Sequence, residues 1–300
     1  MSKMIFIIGV SGCGKTKMNQ KSQPFQMNLS FFAVIFFLFN ALIVYGQKDI
    51  GIQLYSLRNQ LEQNADRALK LIDRWGLKYI EGGDTYGLSE EDFRKLIKKN
   101  NLKAVSIGAS YPELRDDPQS VLEKAKRYKV KFVMCAWIPH PGNTFDIDIT
   151  QAAVETFNKA GALLKKEGIT LAYHAHGYEF RPHEYGTLFD YMARNATDFK
   201  FELDVFWVQH GGVNPIELMN KYPDFVVLMH LKDMAHGVKG NNTGKEDVEK
   251  NVILGQGQID IAGVVKRARE LGVQYMFIED ESSRVISQVP KSYDFLKSLQ

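Results

Sequence analysis

From Asp49 to the C terminus the sequence alternates strand-like and helix-like stretches, and this alternation limits the architectures open to the chain more than any other feature. DIGIQLYSL (Asp49 to Leu57) reads as a first strand, and NADRALKLIDRWG (Asn64 to Gly76) has helical spacing with a glycine stop. KYIEGG (Lys78 to Gly83) follows as a second strand. SEEDFRKLIKKNN (Ser89 to Asn101) is then a helix, with a capping-box-like start at Ser89 and Asp92. LKAVSIGAS (Leu102 to Ser110), a helix within Pro118 to Tyr128, KFVMCAWIP (Lys131 to Pro139) and a helix over Thr150 to Glu167 continue the series. Four more strand-like segments complete it: LAYHAHGYEF (Leu171 to Phe180), KFELDVFWVQHGG (Lys200 to Gly212), VVLMHLKD (Val226 to Asp233) and YMFIEDE (Tyr275 to Glu281). The helix IDIAGVVKRARELG (Ile259 to Gly272) precedes the last of them. Eight strands alternating with helices predict an α/β fold of the (β/α)8 barrel type. A doubly wound open sheet is the alternative, but the first strand-to-helix turn lacks the glycine-rich dinucleotide fingerprint.

The last four strand segments each end in residues able to bind a divalent metal. Side chains two apart on a strand share a face, which pairs His174 with His176, His230 with Lys232, and Glu279 with Glu281. Each pair follows apolar residues of the same parity: Ala172; Val226 and Leu228; Tyr275 and Phe277. The polar groups are therefore expected at the C-terminal strand ends, where barrels of this type keep their chemistry. Together they suggest one metal-centred site.

The first 46 residues read as a different object. GVSGCGKT (Gly9 to Thr16) satisfies the P-loop pattern, and residues 3–16 resemble the opening of gluconate kinases. A working P-loop needs a helix starting at its Lys-Thr, whereas KMNQKSQPFQ (Lys17 to Gln26) is polar, lacks helical apolar period and contains Pro24. Leu29 to Tyr45 is then almost wholly apolar, interrupted only by Ser30 and Asn40. The expected division is a P-loop-like remnant over 1–26, a secretory signal over 27–46 starting at Met27 and cleaved before Gln47, and a barrel over 47–300. This implies export, to a periplasm, with an uncleaved membrane anchor as the competing reading. Neither Cys13 nor Cys135 lies at the cleavage point, so a lipoprotein is not indicated, and a lone Cys135 allows no internal disulfide.

Composition matters to the choice of partner. With 45% hydrophobic and 24% charged residues, the chain has the makeup of an ordinary globular protein. Four of the 38 Lys and Arg, and none of the 35 Asp and Glu, precede residue 47, so the remainder is close to neutral. Bulk charge thus gives no reason to expect a nucleic-acid partner.

GIQLYSLR, YHAHGYEF, LDVFWVQHGG, HLKD, GQGQID and FIEDE, in that order, resemble the sugar phosphate isomerase/epimerase group of xylose isomerase-like TIM barrels, over essentially all of Asp49 to Gln300. The resemblance implies a divalent metal held at the C-terminal mouth by His174, Asp204, His230 and Glu279. The residues themselves leave alternatives open. Asp204 sits among Leu203, Val205, Phe206 and Trp207, where a lone carboxylate is costly unless paired or metal-bound, and it could instead cap the following turn. Glu279 stands beside Asp280 and Glu281, which either call for a cation or form a surface acidic cluster. His230 is a ligand or a hydrogen-bonded core residue. His174 is preferred to His176 because it falls where many relatives carry a metal-binding glutamate, a departure that puts a symmetric two-carboxylate epimerase mechanism in question.

Two imidazoles and two carboxylates suit Mn, Fe, Co or Zn, with Mg admitted as an alternative. Such a metal would polarise a sugar carbonyl and stabilise an enediolate. Glu279, His176 and Lys232 are positioned as candidates for the proton-transfer group, Lys232 having a salt bridge to Asp233 or Glu281 as its structural alternative. Glu179 could hold a substrate hydroxyl or a ligand histidine. Gln53, Tyr55, Glu81, Trp137, Trp207 and His210 lie at or just beyond strand ends and are candidates to contact a sugar. The expected activity is sugar isomerisation or epimerisation on a small-molecule sugar or keto-sugar, unphosphorylated if the chain is exported. A lyase or dehydratase on keto-sugars or glycosides is the runner-up, and a non-catalytic sugar-binding barrel a further alternative. An endonuclease-like reading would need a larger metal cluster and a basic groove. The loop Gly237 to Asn251 could close over substrate or contact a second copy in a homo-oligomer.

Overall fold

The computed structural model describes residues 50–184 and 186–299. The P-loop-like stretch, the apolar run after it and the expected cleavage point before Gln47 lie outside the described residues. Eight strands form a closed barrel: β1 (Ile50–Gln53), β2 (Tyr79–Glu81), β3 (Lys103–Gly108), β4 (Phe132–Cys135), β5 (Thr170–His174), β6 (Phe199–Asp204), β7 (Val226–Leu231) and β8 (Tyr275–Ile278). Each pairs in parallel with its sequence neighbours, and β8 closes on β1 through Ile50–Met276, Gly51–Phe277 and Ile52–Ile278. Closure leaves no free edge, so the backbone polar groups of every strand are satisfied on both sides.

The helices are α1 (Arg58–Arg74), α2 (Glu90–Lys99), α3 (Tyr111–Asp116), α4 (Pro118–Tyr128), α5 (Ile147–Lys165), α6 (Leu188–Asn195), α7 (Val205–His210), α8 (Pro215–Lys221), α9 (Ile261–Leu271) and α10 (Val285–Ser298). α5 shows why they pack as they do. Asp146 caps its start by accepting from Ile149 N–H, and Ala153, Val154, Phe157, Ala160 and Leu164 recur on one face and are buried. Burying each large side chain of that stripe contributes about 1.5–3 kcal/mol. Inside the barrel, Val105, Phe132, Ala172, Leu228 and Phe277 form a separate apolar plug below the mouth. Cys135 is buried, which pushes its thiol up to about 12.

Several boundaries differ from the sequence reading, each for a local reason. The first strand stops at Gln53, whose side chain accepts from Tyr55 N–H and turns the chain into a short 3-10 helix over Leu54–Leu57. Asn64 starts a helix as read, its extended backbone and side-chain oxygen capping Arg67 N–H, but a further helical stretch from Arg58 runs into it, so that α1 is kinked there. The strand expected over Lys200 to Gly212 ends at Asp204, after which Val205–His210 are helical. α3 has no counterpart in the sequence reading; Ser110 and Glu113 build a capping box for it. Among the described residues no helix is long and apolar enough to cross a membrane.

Candidate metal centre

Four consecutive strands carry the cluster. His174 ends β5, Asp204 ends β6, His230 lies one residue before the end of β7, and Glu279 follows β8 directly. One potential ligand atom from each lies within 4.8 Å of the others, and all four residues are buried. His174 Nε2 is 3.5 Å from Asp204 Oδ2, and His230 Nδ1 is 3.3 Å from Glu279 Oε2 and 4.0 Å from Asp204 Oδ2. Asp204 caps the following turn and keeps one oxygen free for a ligand. Its Oδ1 accepts from Phe206 and Trp207 N–H at 2.8 and 3.1 Å, capping α7, while Oδ2 has no hydrogen-bond partner. Both ring nitrogens of His174 and Nδ1 of His230 are likewise buried without one, the 3.3 Å approach to Glu279 lacking hydrogen-bond alignment. Orphaned buried polar atoms are costly, and a cation held by one nitrogen of His174, Asp204 Oδ2 and His230 Nδ1, with His230 neutral, would satisfy three of the four at once. The donor set therefore fits a divalent metal of the Zn, Fe, Co or Mn kind.

A second polar layer lies beneath the first. His230 Nε2 is 2.7 Å from Glu81 Oε1, which also accepts from Gln53 Nε2 at 2.7 Å. Glu202 Oε1 is 3.3 Å from the same His230 nitrogen. These carboxylates hold the imidazole with Nε2 downward and Nδ1 toward Asp204 and Glu279, the usual way an outer carboxylate fixes the tautomer of a metal-binding histidine. Sequence reasoning missed Glu202, although parity would have paired it with Asp204. Its signal was masked by the apolar company of Phe201 and Leu203.

Charge balance follows from burial and neighbours. Burial pushes Asp204 up to about 7, against the pull of the Lys232 ammonium, and burial together with the nearby Glu81 pushes Glu202 up to about 8. Burial alone would depress His230, but Glu202 and Glu279 outweigh it and hold the ring well above the ordinary histidine range. His174 and His176 are held well below it by burial, which keeps them neutral. Burial acts to raise Glu279, yet Lys232 and His230 hold it well below the usual glutamate value.

The remaining sequence candidates divide between the cleft and the walls behind it. A cleft of about 520 Å³ opens above the cluster and is lined by Gln53, Tyr55, Trp137, His176 and Trp207 among others. Lys232 is fully buried between Glu279, at 3.5 Å, and Glu281, which it meets in a close ion pair. Burial would lower it, but those two carboxylates and Asp204 hold it as an ammonium, in which form it supports the charge of Glu279. Asp233 faces elsewhere and gathers the N–H groups of Gly255, Gly257 and Ile259. Glu179 does not reach the cleft. It is buried behind β5, where it accepts from the Tyr173 hydroxyl and from His176 N–H at 3.0 and 3.2 Å. Glu81 is enclosed in the lower layer rather than exposed to a sugar. His210 is buried, stacked on Phe206 and bonded to Glu246 at 3.1 Å, so it too leaves the set of sugar-contacting residues.

A closed (β/α)8 barrel with a buried His, Asp, His and Glu cluster at the C-terminal mouth defines a class of protein. The chain belongs to the xylose isomerase-like TIM barrel family, whose model matches residues 69–299. Among solved structures it is similar to a sugar phosphate isomerase/epimerase from Parabacteroides distasonis, with 23% identity, a TM-score of 0.69, and 85% of this chain and 96% of that one covered. It is also similar to the probable 3-DHS dehydratase AsbF from Bacillus anthracis, at 14% identity and TM-score 0.63 over 83% and 99% of the two chains. The IolI protein with a bound zinc atom matches at 17% identity and TM-score 0.63 over 84% and 96%. No curated protein matches the chain.

Proposed function

We propose that this chain is a metal-dependent sugar isomerase or epimerase that removes a proton next to a carbonyl by way of an enediolate. The observation that carries the reading is the set of buried, unpartnered donor atoms on His174, Asp204 and His230, closed by Glu279, at the floor of an open cleft. The family, the isomerase/epimerase name of one structural neighbour and the zinc of another support it. His174, Asp204, His230 and Glu279 would hold the metal, which when bound supplies Lewis-acid polarisation of a carbonyl oxygen. His176 is the group assigned to take the proton. It lines the cleft and is neutral, and its backbone is fixed by Glu179. Lys232 keeps Glu279 anionic, and Trp207 walls the cleft beside His176 at a ring separation of 5.8 Å.

A lyase or dehydratase is the second reading. A histidine rather than a carboxylate at position 174 leaves no symmetric pair of acid bases, and one neighbour is named as a dehydratase. The same proton abstraction with a leaving group one carbon further would give that outcome. Metal analysis of the purified protein beside Asp204→Ala and Glu279→Ala, with solvent-deuterium incorporation into a panel of sugars and keto-sugars, tests the proposal. Expected are stoichiometric metal in the wild type, loss in both variants, and metal-dependent exchange into one substrate. Exchange accompanied by release of water or an alcohol would favour the lyase, and a folded wild type without metal would leave a sugar-binding barrel.

A further inference from the structure

The part of the mouth built by β1–β4 carries none of the four candidate metal ligands, yet the cleft extends over it. Gly82 and Gly83 follow β2, and Gly108 ends β3, so this stretch has backbone where other strand ends carry side chains. The backbones are close-packed there: a Cβ on Gly83 would stand 2.7 Å from Gly108 O and 2.9 Å from its N and Cα. Two aromatic rings flank this trough. Tyr55 is 52% exposed and Trp137 44% exposed, and both line the cleft. Each is braced by neighbours. The Arg58 guanidinium sits 4.3 Å from the centroid of the Tyr55 ring and is itself tied to the carbonyls of Tyr55 and Glu281. Trp137 leans on His140 at 4.6 Å and 30°, and meets Tyr178 edge-on at 5.5 Å. Fixed, half-open aromatic rings are platforms for the apolar face of another ring.

The charge of the cleft narrows the ligand further. Its acidic lining residues are Asp84, Glu279 and Glu281, and no Lys or Arg is among the lining residues. The nearby cations are engaged elsewhere: Arg58 as above, Lys232 between Glu279 and Glu281, and Lys124 on Gly83 O at 3.0 Å. The N-terminal N–H groups of α7 are occupied by Asp204 itself. Nothing among the described lining residues is built to receive a phosphate, whereas carboxylates suit sugar hydroxyls.

We propose that the substrate is a neutral, unphosphorylated glycoside whose reacting ring carries a keto group and lies on the metal side, with a second neutral ring stacked in the trough between Tyr55 and Trp137; cellobiose and phenyl glucoside serve as binding analogues without the keto group. Which ring reacts rests on the reading under Proposed function; the second-ring subsite needs no metal. The test is equilibrium binding of glucose, glucose 6-phosphate, cellobiose and phenyl β-glucoside to the full-length protein, before and after chelator treatment. Cellobiose or phenyl glucoside should bind about tenfold more tightly than glucose in both forms, and the phosphate no more tightly than glucose. Within Tyr55→Ala and Trp137→Ala the two-ring to one-ring ratio should fall to about twofold or less, with Trp137→Phe keeping part of it. Melting temperatures of the variants check that they fold. A gain for cellobiose alone names a sugar as the second ring, and a gain for the phenyl compound alone names an apolar aglycone. Tighter binding of the phosphate, no two-ring binding at millimolar concentration, or a ratio that survives both alanine variants would overturn the proposal. If the ratio is intact but the protein never holds metal, the enzyme reading fails and the second-ring subsite stands.

Discussion

The two sides of the barrel mouth solve opposite problems. On the β5–β8 side, His174, Asp204, His230, Lys232 and Glu279 are buried and ionisable, and they approach one another in pairs at 3.3 to 3.5 Å, with several donor atoms left for a cation. On the β1–β4 side, Gln53, Tyr55, Gly82, Gly83 and Trp137 are uncharged, and the two aromatic rings stay half open to water. Glu81 belongs to the second side by sequence and to the first by contact, since it reaches across the barrel to His230. The difference teaches that chemistry and recognition make incompatible demands on burial. Groups that hold a cation need a dry, mutually supporting shell, and groups that stack on a ligand ring must be left uncovered.

Lys232 offers the sharpest way to break this contrast. Lys232→Met removes the buried cation between Glu279 and Glu281 and sets an apolar side chain against both carboxylates, so stability should fall by about 3–5 kcal/mol in denaturant unfolding. A loss under about 1 kcal/mol would mean that the carboxylates reach water and that this side is not a sealed charge network.

Gly83→Ala tests the open side. A methyl group there meets Gly108 backbone at 2.7–2.9 Å, and backbone cannot swing away, so β2 and β3 must part locally at a cost of about 1–3 kcal/mol. A variant as stable as the wild type would show that the trough floor has slack. Metal binding should survive, because all four candidate ligands sit on β5–β8 and only Glu81, at the end of β2, reaches them.

The smallest effect concerns pH, behind β5. Burial pushes Glu179 up to about 7, against the Tyr173 hydrogen bond. The folded protein therefore holds a proton that an unfolded glutamate would release, and this contribution is full below the ordinary glutamate range and lost as pH rises through about 7. Glu179→Gln should remove up to about 1 kcal/mol per pH unit of that decline between about pH 5 and 7, read from unfolding curves across the interval. An unchanged slope would show that Glu179 is ionised throughout.

Much of the site was legible because strand parity is local. Ala172, His174 and His176 had to share a face, as did Leu228, His230 and Lys232, and the structure puts His174, His176 and His230 at the cleft. Glu179 and His210 misled because they follow strand ends by a few residues, where the chain has turned helical and parity no longer applies. Glu202 obeyed the rule but resembled a core position by its neighbours.

The sequence alone determined the eight-fold alternation of strand and helix and the face on which each strand-end side chain stands, because both follow from covalent spacing and local periodicity. Only the tertiary structure decided that Glu81 meets His230 across 149 residues, that Lys232 is locked between two glutamates, and that Tyr55 and Trp137 flank one trough. Those depend on barrel closure and register, which bring together side chains whose separation along the chain carries no information about their distance in space.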